Sequence, residues 1–175
     1  MGMKALLCSI FVLVCLGTVR AQTTVYLVRH GEKDRSNPKN RDPSLTKAGK
    51  VRAQALADTL RSVKLTAIYV TDYKRTRNTA APVAKQGGLT PRVPEPGQPS
   101  KLVGHLRDDH KGGDVLVVGH SNTLPAILRE LGIKKRFGIA LDEYDNLFVV
   151  RIAKDGKATI LHLHYGKRDA PKKKD

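Results

Sequence analysis

The sequence predicts an α/β protein, specifically a three-layer α/β/α sandwich with a mostly parallel sheet. Three observations predict it. Short apolar runs at residues 25–28, 67–70 and 115–118 alternate with longer stretches of helical spacing. Each run ends in a polar cluster rather than a two-residue hairpin turn, as a strand feeding a crossover helix does. Two final runs, 147–153 and 157–164, flank Asp155-Gly156, a good hairpin turn.

The elements follow in order. Residues 25–28 read as a buried strand, and 32–43, polar with two prolines, as a loop. Residues 46–63 have helical spacing, with Ala48, Val51, Ala55, Leu56, Thr59 and Leu60 on or near one stripe. Thr46 or Ser44 can cap that helix. A second strand at 67–70 meets a turn at Thr71-Asp72. A helix over 74–86 is expected to bend or break at Pro82 and to end at Gly87-Gly88. Residues 88–100 carry four prolines and read as a loop with room for a short strand. An amphipathic helix at 100–110 ends at Gly112-Gly113. A third strand at 115–118 leads into a helix at 121–131, with Gly132 as its C-cap. No internal repeat and no second domain is visible.

The 175 residues suffice for one domain with a real core. Residues 1–21 are set apart. A short basic start at Lys4, an apolar run over 5–16 and small residues at Val19 and Ala21 form a signal-peptide pattern. Cleavage after Ala21 would leave an exported protein, periplasmic or extracellular, with no membrane anchor. Both cysteines, Cys8 and Cys15, lie in that leader. A disulfide scaffold and a catalytic thiolate are therefore excluded for the mature chain. Without Lys4 and Arg20, 30 of the 32 basic residues remain against 16 acidic ones, a net charge of +14. Such a charge favours anionic partners: phosphorylated substrates, acidic envelope polymers or nucleic acid. The chain has no tryptophan, five tyrosines and three phenylalanines. A stacking platform for nucleic acid is thus unsupported, and no nucleic-acid partner is expected. The domain is expected over 22–166, with 167–175 as a basic, disordered tail.

In open α/β sheets, ligands bind beyond the carboxyl ends of the strands. Those positions hold Arg29-His30-Gly31, residues 71–75, and Gly119-His120-Ser121-Asn122. Two histidines and two or more arginines would gather at one edge. A phosphate monoester is a dianion, and arginine offers it a planar fork of permanently charged donors. Neutral imidazole can attack phosphorus, and a second, protonated imidazole can donate to the phosphoryl oxygens. Gly31 would let the backbone approach the phosphate, and helix N-termini after Gly31 and His120 would add donors. None of this needs a metal or other cofactor.

These residues resemble the histidine phosphatase superfamily, the phosphoglycerate mutase-like family. The matching elements are Arg29-His30-Gly31 after a strand, Leu45-Thr46 with Gly49, Arg75 and Thr79 in TDYKRTRNTA, and His120 in VLVVGHSNT. They span roughly residues 24–166. The resemblance implies a phosphoglycerate mutase-like fold and a phosphomonoesterase working through phosphohistidine at His30. Arg29 and Arg75 would bind the phosphoryl group, and His120 would complete the pocket. The family spacing, four residues before the threonine, selects Arg75 over Arg77. Asn37 is a further candidate phosphate contact. Larger members carry an acid that protonates the leaving group. Here Arg75 to His120 is a short interval and Ser121-Asn122 offers no carboxylate. Glu32 is the nearest candidate, while Asp108 and Asp109 read as a solvated helix face. A good leaving group, such as phosphohistidine or an acyl phosphate, would need less acid catalysis.

Rival interpretations rest on other residues. Gly119-His120-Ser121-Asn122-Thr123 resembles a serine hydrolase elbow, with Asp142, Asp145, His162 and His164 following, but Thr123 replaces the final glycine. A catalytically inactive phosphate-binding module is a second alternative, and a mutase a third. His162 and His164 share one strand face without a visible third metal ligand. His105 and His110 read as solvated helix residues.

Overall fold

The computed structural model describes residues 22–169. The expected leader at 1–21 lies outside them, as does 170–175 of the expected tail. Nine elements follow one another. They are β1 (Thr23–Arg29), α1 (Lys47–Leu60), β2 (Leu65–Val70), α2 (Lys74–Gly87), α3 (Pro99–Asp108), β3 (Asp114–Gly119), α4 (Thr123–Glu130), β4 (Asn146–Ile152) and β5 (Ala158–His164). The sheet order is β2-β3-β1-β4-β5. β1, β2 and β3 are parallel, β4 runs antiparallel to β1, and β5 is antiparallel to β4. Four of these five strands therefore point the same way, and the hairpin supplies the reversal.

Alternation along the strands divides the core in two. Val25, Leu27, Val115, Val117 and Phe148 face α3 and α4. Val28, Ile68, Val70, Leu116 and Val118 face α1 and α2. Both faces are closed by helices, and each fully buried Leu or Phe contributes about 1.5–3 kcal/mol relative to exposure.

Several local expectations shift. Thr46, not Ser44, caps α1, its Oγ1 accepting from the Gly49 amide at 3.1 Å. The buried stripe of α1 is Gly49, Arg52, Ala53, Leu56, Ala57 and Leu60. It is rotated from the expected one, and Val51 is 64% exposed. That stripe includes Arg52, a charged residue buried with its partners, which an apolar count cannot see. α2 continues across Pro82 and ends on Gly88 at φ 62°. The short strand expected between 88 and 100 is a single bridge, Arg92 against Tyr69. His110 is not solvated. It is buried, with Nε2 3.0 Å from the Tyr69 hydroxyl. Among the described residues, no helix is long and apolar enough to cross a membrane.

Candidate active site

Strand register builds the site. β1 and β3 run parallel with Arg29 opposite Gly119. The next residue of each chain segment is a histidine, and the His30 amide bonds the Gly119 carbonyl at 3.0 Å. The two imidazoles consequently meet edge to face, with ring centroids 5.2 Å apart. β2 ends one position away, with Val70 opposite Val118. The next residue, Thr71, places its Oγ1 2.8 Å from His120 Nε2. α2 then starts beside the pocket and brings Arg75 over the Tyr73 ring, 4.0 Å from its centroid.

His30 Nδ1 lies 2.7 Å from the Gly31 carbonyl oxygen. A carbonyl can only accept, so Nδ1 carries the proton and Nε2 carries the lone pair. Burial, the largest influence, pushes the His30 pKa down to about 3, with His120, Arg29 and Arg75 adding to the fall. The ring is therefore neutral near pH 7. Burial likewise lowers His120 to about 4, helped by Arg75, Arg29 and Lys33. Burial first, and then these cations, disfavour a proton on His120 while no anion is bound. A dianion close by would oppose them and raise it again. If Thr71 donates to Nε2, neutral His120 still carries a proton on Nδ1.

The two arginines are held differently. Arg29 is buried, and its Nη1 donates to the carbonyls of Ala140 and Glu143, both at 2.7 Å. Its Nη2 donates to Leu141 at 3.1 Å, and the guanidinium stacks on Tyr144, 4.1 Å from the ring centroid. Its Nε is buried without a hydrogen-bond partner, as are Nε and Nη1 of Arg75. Buried donors without partners are costly, about 1–3 kcal/mol each, and an anion accepting from them would remove that cost.

Gly31 and Glu32 take other roles than those expected. Gly31 does not line the pocket. Its amide donates to Thr79 Oγ1 at 2.9 Å, and a Cβ there would fall 2.8 Å from the Gly49 carbonyl oxygen. It lets backbone pack on backbone, while Thr79 ties the loop to α2. Glu32 turns away from the pocket into Arg52, with Oε1 2.8 Å from Nη2 and both oxygens near Nε at 3.0 and 3.1 Å. A paired carboxylate behind the loop is not placed to protonate a leaving group. No residue of α1 lines the cavity, and the Thr46 amide before it is taken by the Glu32 carbonyl at 2.9 Å. The first turns of α2 and α4 do reach the cavity, through Arg75 and Thr123.

The cavity over these groups has a volume of about 1250 Å³ and reaches the loops 33–43 and 93–99. Asn37 lies on its exposed rim, its Oδ1 accepting from the Lys39 amide. Arg77 lies outside the cavity lining, pairing with Asp72 at 2.7 Å on the surface. Lys33 and Arg35 also line the cavity, and sequence reasoning missed both. Their signal was faint: two cations in a loop without periodicity. Burial first, then Arg75, Arg35 and Arg29, holds the Lys33 ammonium below its usual pKa. The carboxylates lining the cavity, Asp34, Asp72 and Glu95, each accept a hydrogen bond from a protein neighbour. Among the described residues no hydrogen bond joins Ser121 to a histidine. Asp145 pairs with His164 at 3.1 Å, and His162 stacks on Phe148 and bonds Asn146. A serine hydrolase triad is thus not assembled. Nor does a third ligand join the histidine pair, since no described group of three His, Cys, Asp or Glu is placed to hold a metal ion.

Fold and site together define a three-layer α/β/α protein with paired imidazoles in a cationic pocket at the carboxyl edge of its sheet. A model of the histidine phosphatase superfamily (branch 1) matches residues 25–96. The protein histidine phosphatase SixA, solved with tungstate, superposes with a TM-score of 0.67 at 18% identity, covering 81% of this chain and 96% of its own. A mycobacterial glucosyl-3-phosphoglycerate phosphatase gives 0.64 at 17%, covering 79% and 97%. A phosphoglycerate mutase from Bacillus anthracis gives 0.62 at 18%, covering 82% and 93%. Among curated protein sequences, none matches. The family model thus matches the stretch that carries His30 and Arg75, and the whole fold is that of the phosphoglycerate mutase-like structures.

Proposed function

We propose that this protein is a phosphomonoesterase that transfers the phosphoryl group of its substrate to His30 and then to water. The observation that carries this reading is the Nδ1 contact of His30 with the Gly31 carbonyl at 2.7 Å, which leaves the lone pair on Nε2. Nε2 attacks phosphorus, and the bond to the leaving group breaks with its electron pair. Water then attacks phosphorus, the N–P bond breaks, and phosphate and the Nε2 lone pair are regenerated. Nδ1 keeps its proton throughout and donates it to the Gly31 carbonyl. Arg29 Nε, Arg75 Nε and Arg75 Nη1 supply unmatched donors for the phosphoryl oxygens, and His120 adds one more. The cations present carry the charge, so the reading needs no metal.

The carboxylates at the cavity already have protein donors, and Glu32 is paired elsewhere. The proposal therefore favours substrates whose leaving group departs without a strong acid, such as phosphoramidates and acyl phosphates. Alkaline quenching after exposure to labelled acetyl phosphate tests it. A base-stable, acid-labile label on the wild-type protein, absent from His30→Ala, is expected. Equal labelling of both would refute the reading.

A further inference from the structure

Behind the pocket, Arg52 joins three segments distant in sequence. Its Nε and Nη2 hold Glu32, two residues after the nucleophile. Its Nη1 donates to the carbonyls of Tyr165 and Lys167 at 3.4 and 3.0 Å, and its Nη2 to Asp169 Oδ1 at 3.0 Å. Asp169 continues the connection. Its Oδ2 accepts the amides of Tyr144 at 2.6 Å and Asp145 at 2.8 Å, and its own amide reaches Asp145 Oδ2 at 3.3 Å. Tyr144 stacks on Arg29, and the carbonyls of Ala140, Leu141 and Glu143 hold the Arg29 guanidinium. A closed ring results: nucleophile loop, Arg52, Asp169, residues 140–145, Arg29, and back along the backbone to His30.

Each link is charge-assisted or partly buried. Of its members, Arg29 is the one that lines the pocket with an unpartnered donor. Residues 140–145 lack helix or strand of their own, and three of their carbonyls bind that guanidinium. Something must fix those carbonyls, and the two amides held by Asp169 lie at the end of the same segment.

We infer that Asp169 is a positioning residue of the phosphoryl pocket, acting through residues 140–145 to aim Arg29. This rests on the phosphatase reading for its enzymatic consequence, but its geometry concerns anion binding alone. The chain's last described residues would thus belong to the working site rather than trail from it.

Orthophosphate affinity by calorimetry, in a cycle of Asp169→Asn and Arg29→Ala, tests the inference. Asp169→Asn keeps the shape but cannot accept from Arg52 and both amides at once. Its dissociation constant for orthophosphate should rise about tenfold, with KM rising more than kcat falls. In the Arg29→Ala background the same change should add nothing, and Asp169→Glu should restore part of the loss. Amide exchange at Tyr144 and Asp145 should quicken in Asp169→Asn. If Asp169→Asn fails to fold, Asp169→Glu is carried through the same cycle. A lower melting temperature with unchanged phosphate affinity would overturn the inference, as would an equal loss with and without Arg29. A wild-type protein that binds phosphate with this dependence yet turns nothing over would sink the phosphatase reading and leave the positioning role standing.

Discussion

Two buried arginines sit on opposite sides of one short loop, and they are satisfied in opposite ways. Arg52 meets two carboxylates, Glu32 and Asp169, and two backbone carbonyls. Arg29, equally buried, meets carbonyls alone and keeps Nε without a partner, and Arg75 keeps two such donors. A guanidinium whose charge is matched inside the fold is a structural part. Donors left without a hydrogen bond, with Asp42 no nearer to Arg75 than 3.9 Å, suit the anion of the proposed reaction. The contrast separates support from chemistry within a few residues of His30.

The strongest way to sharpen that contrast is at the proposed nucleophile. His30→Ala should lower turnover of acetyl phosphate on the order of 10⁴-fold or more with little change in melting temperature. Retained turnover would end the chemical half of the comparison. On the supporting side, Arg52→Met strands Glu32 and Asp169. It should cost about 3–5 kcal/mol in denaturant unfolding, the usual penalty for breaking a buried pair. Loss of turnover with undiminished stability would reverse the two roles. Arg75→Ala should lower kcat/KM on the order of 10²-fold and cost little stability, because it removes two donors without hydrogen bonds, a long ion pair to Asp42 at 3.9 Å and a stack on Tyr73.

The pH dependence comes next. His30 and His120 have folded pKa values of about 3 and 4, below the ordinary value near 6.5. The unfolded chain binds their protons first. Stability is therefore full above about pH 6.5 and falls as pH drops towards 4, by at most about 1.4 kcal/mol per pH unit for each histidine. Urea unfolding of wild type and of His120→Asn between pH 7 and 4.5 should show a shallower fall in the variant. Equal slopes would mean that these imidazoles are not the titrating groups. The smallest effect is expected at Arg77 and Ser121. Replacing either by Ala should leave kcat/KM within about twofold, and a large loss at Ser121 would restore the hydrolase alternative.

Much of this was legible in the sequence because strands advertise themselves. The runs at 25–28 and 115–118 end in Arg-His-Gly and Gly-His-Ser, so the carboxyl-edge rule already gathered His30 and His120. What it could not give was register, and the pairing of Arg29 with Gly119 is what sets the imidazoles edge to face. Glu32 was misjudged because adjacency in a chain says nothing about side-chain direction. Its partner Arg52 lay twenty positions on, on a helix face that apolar counting placed elsewhere. Gly31 was assigned to phosphate approach when its missing side chain makes room for Gly49. Lys33 and Arg35 carried no periodic signal. Asp169 was placed in a tail, since an aspartate among basic residues resembles solvated chain until its two amide donors are seen.

The unmatched donors of Arg29 and Arg75 also bear on how the protein behaves in a buffer. They cannot distinguish an arriving substrate from a departing product, as both present the same tetrahedral oxygens. Orthophosphate that occupies them binds the folded chain and not the unfolded one, so it adds about 2.7 kcal/mol at a hundred times its dissociation constant. Thermal melting should therefore rise with phosphate concentration over the same range in which turnover falls. The protein is expected to be sturdiest in the solution where it works least.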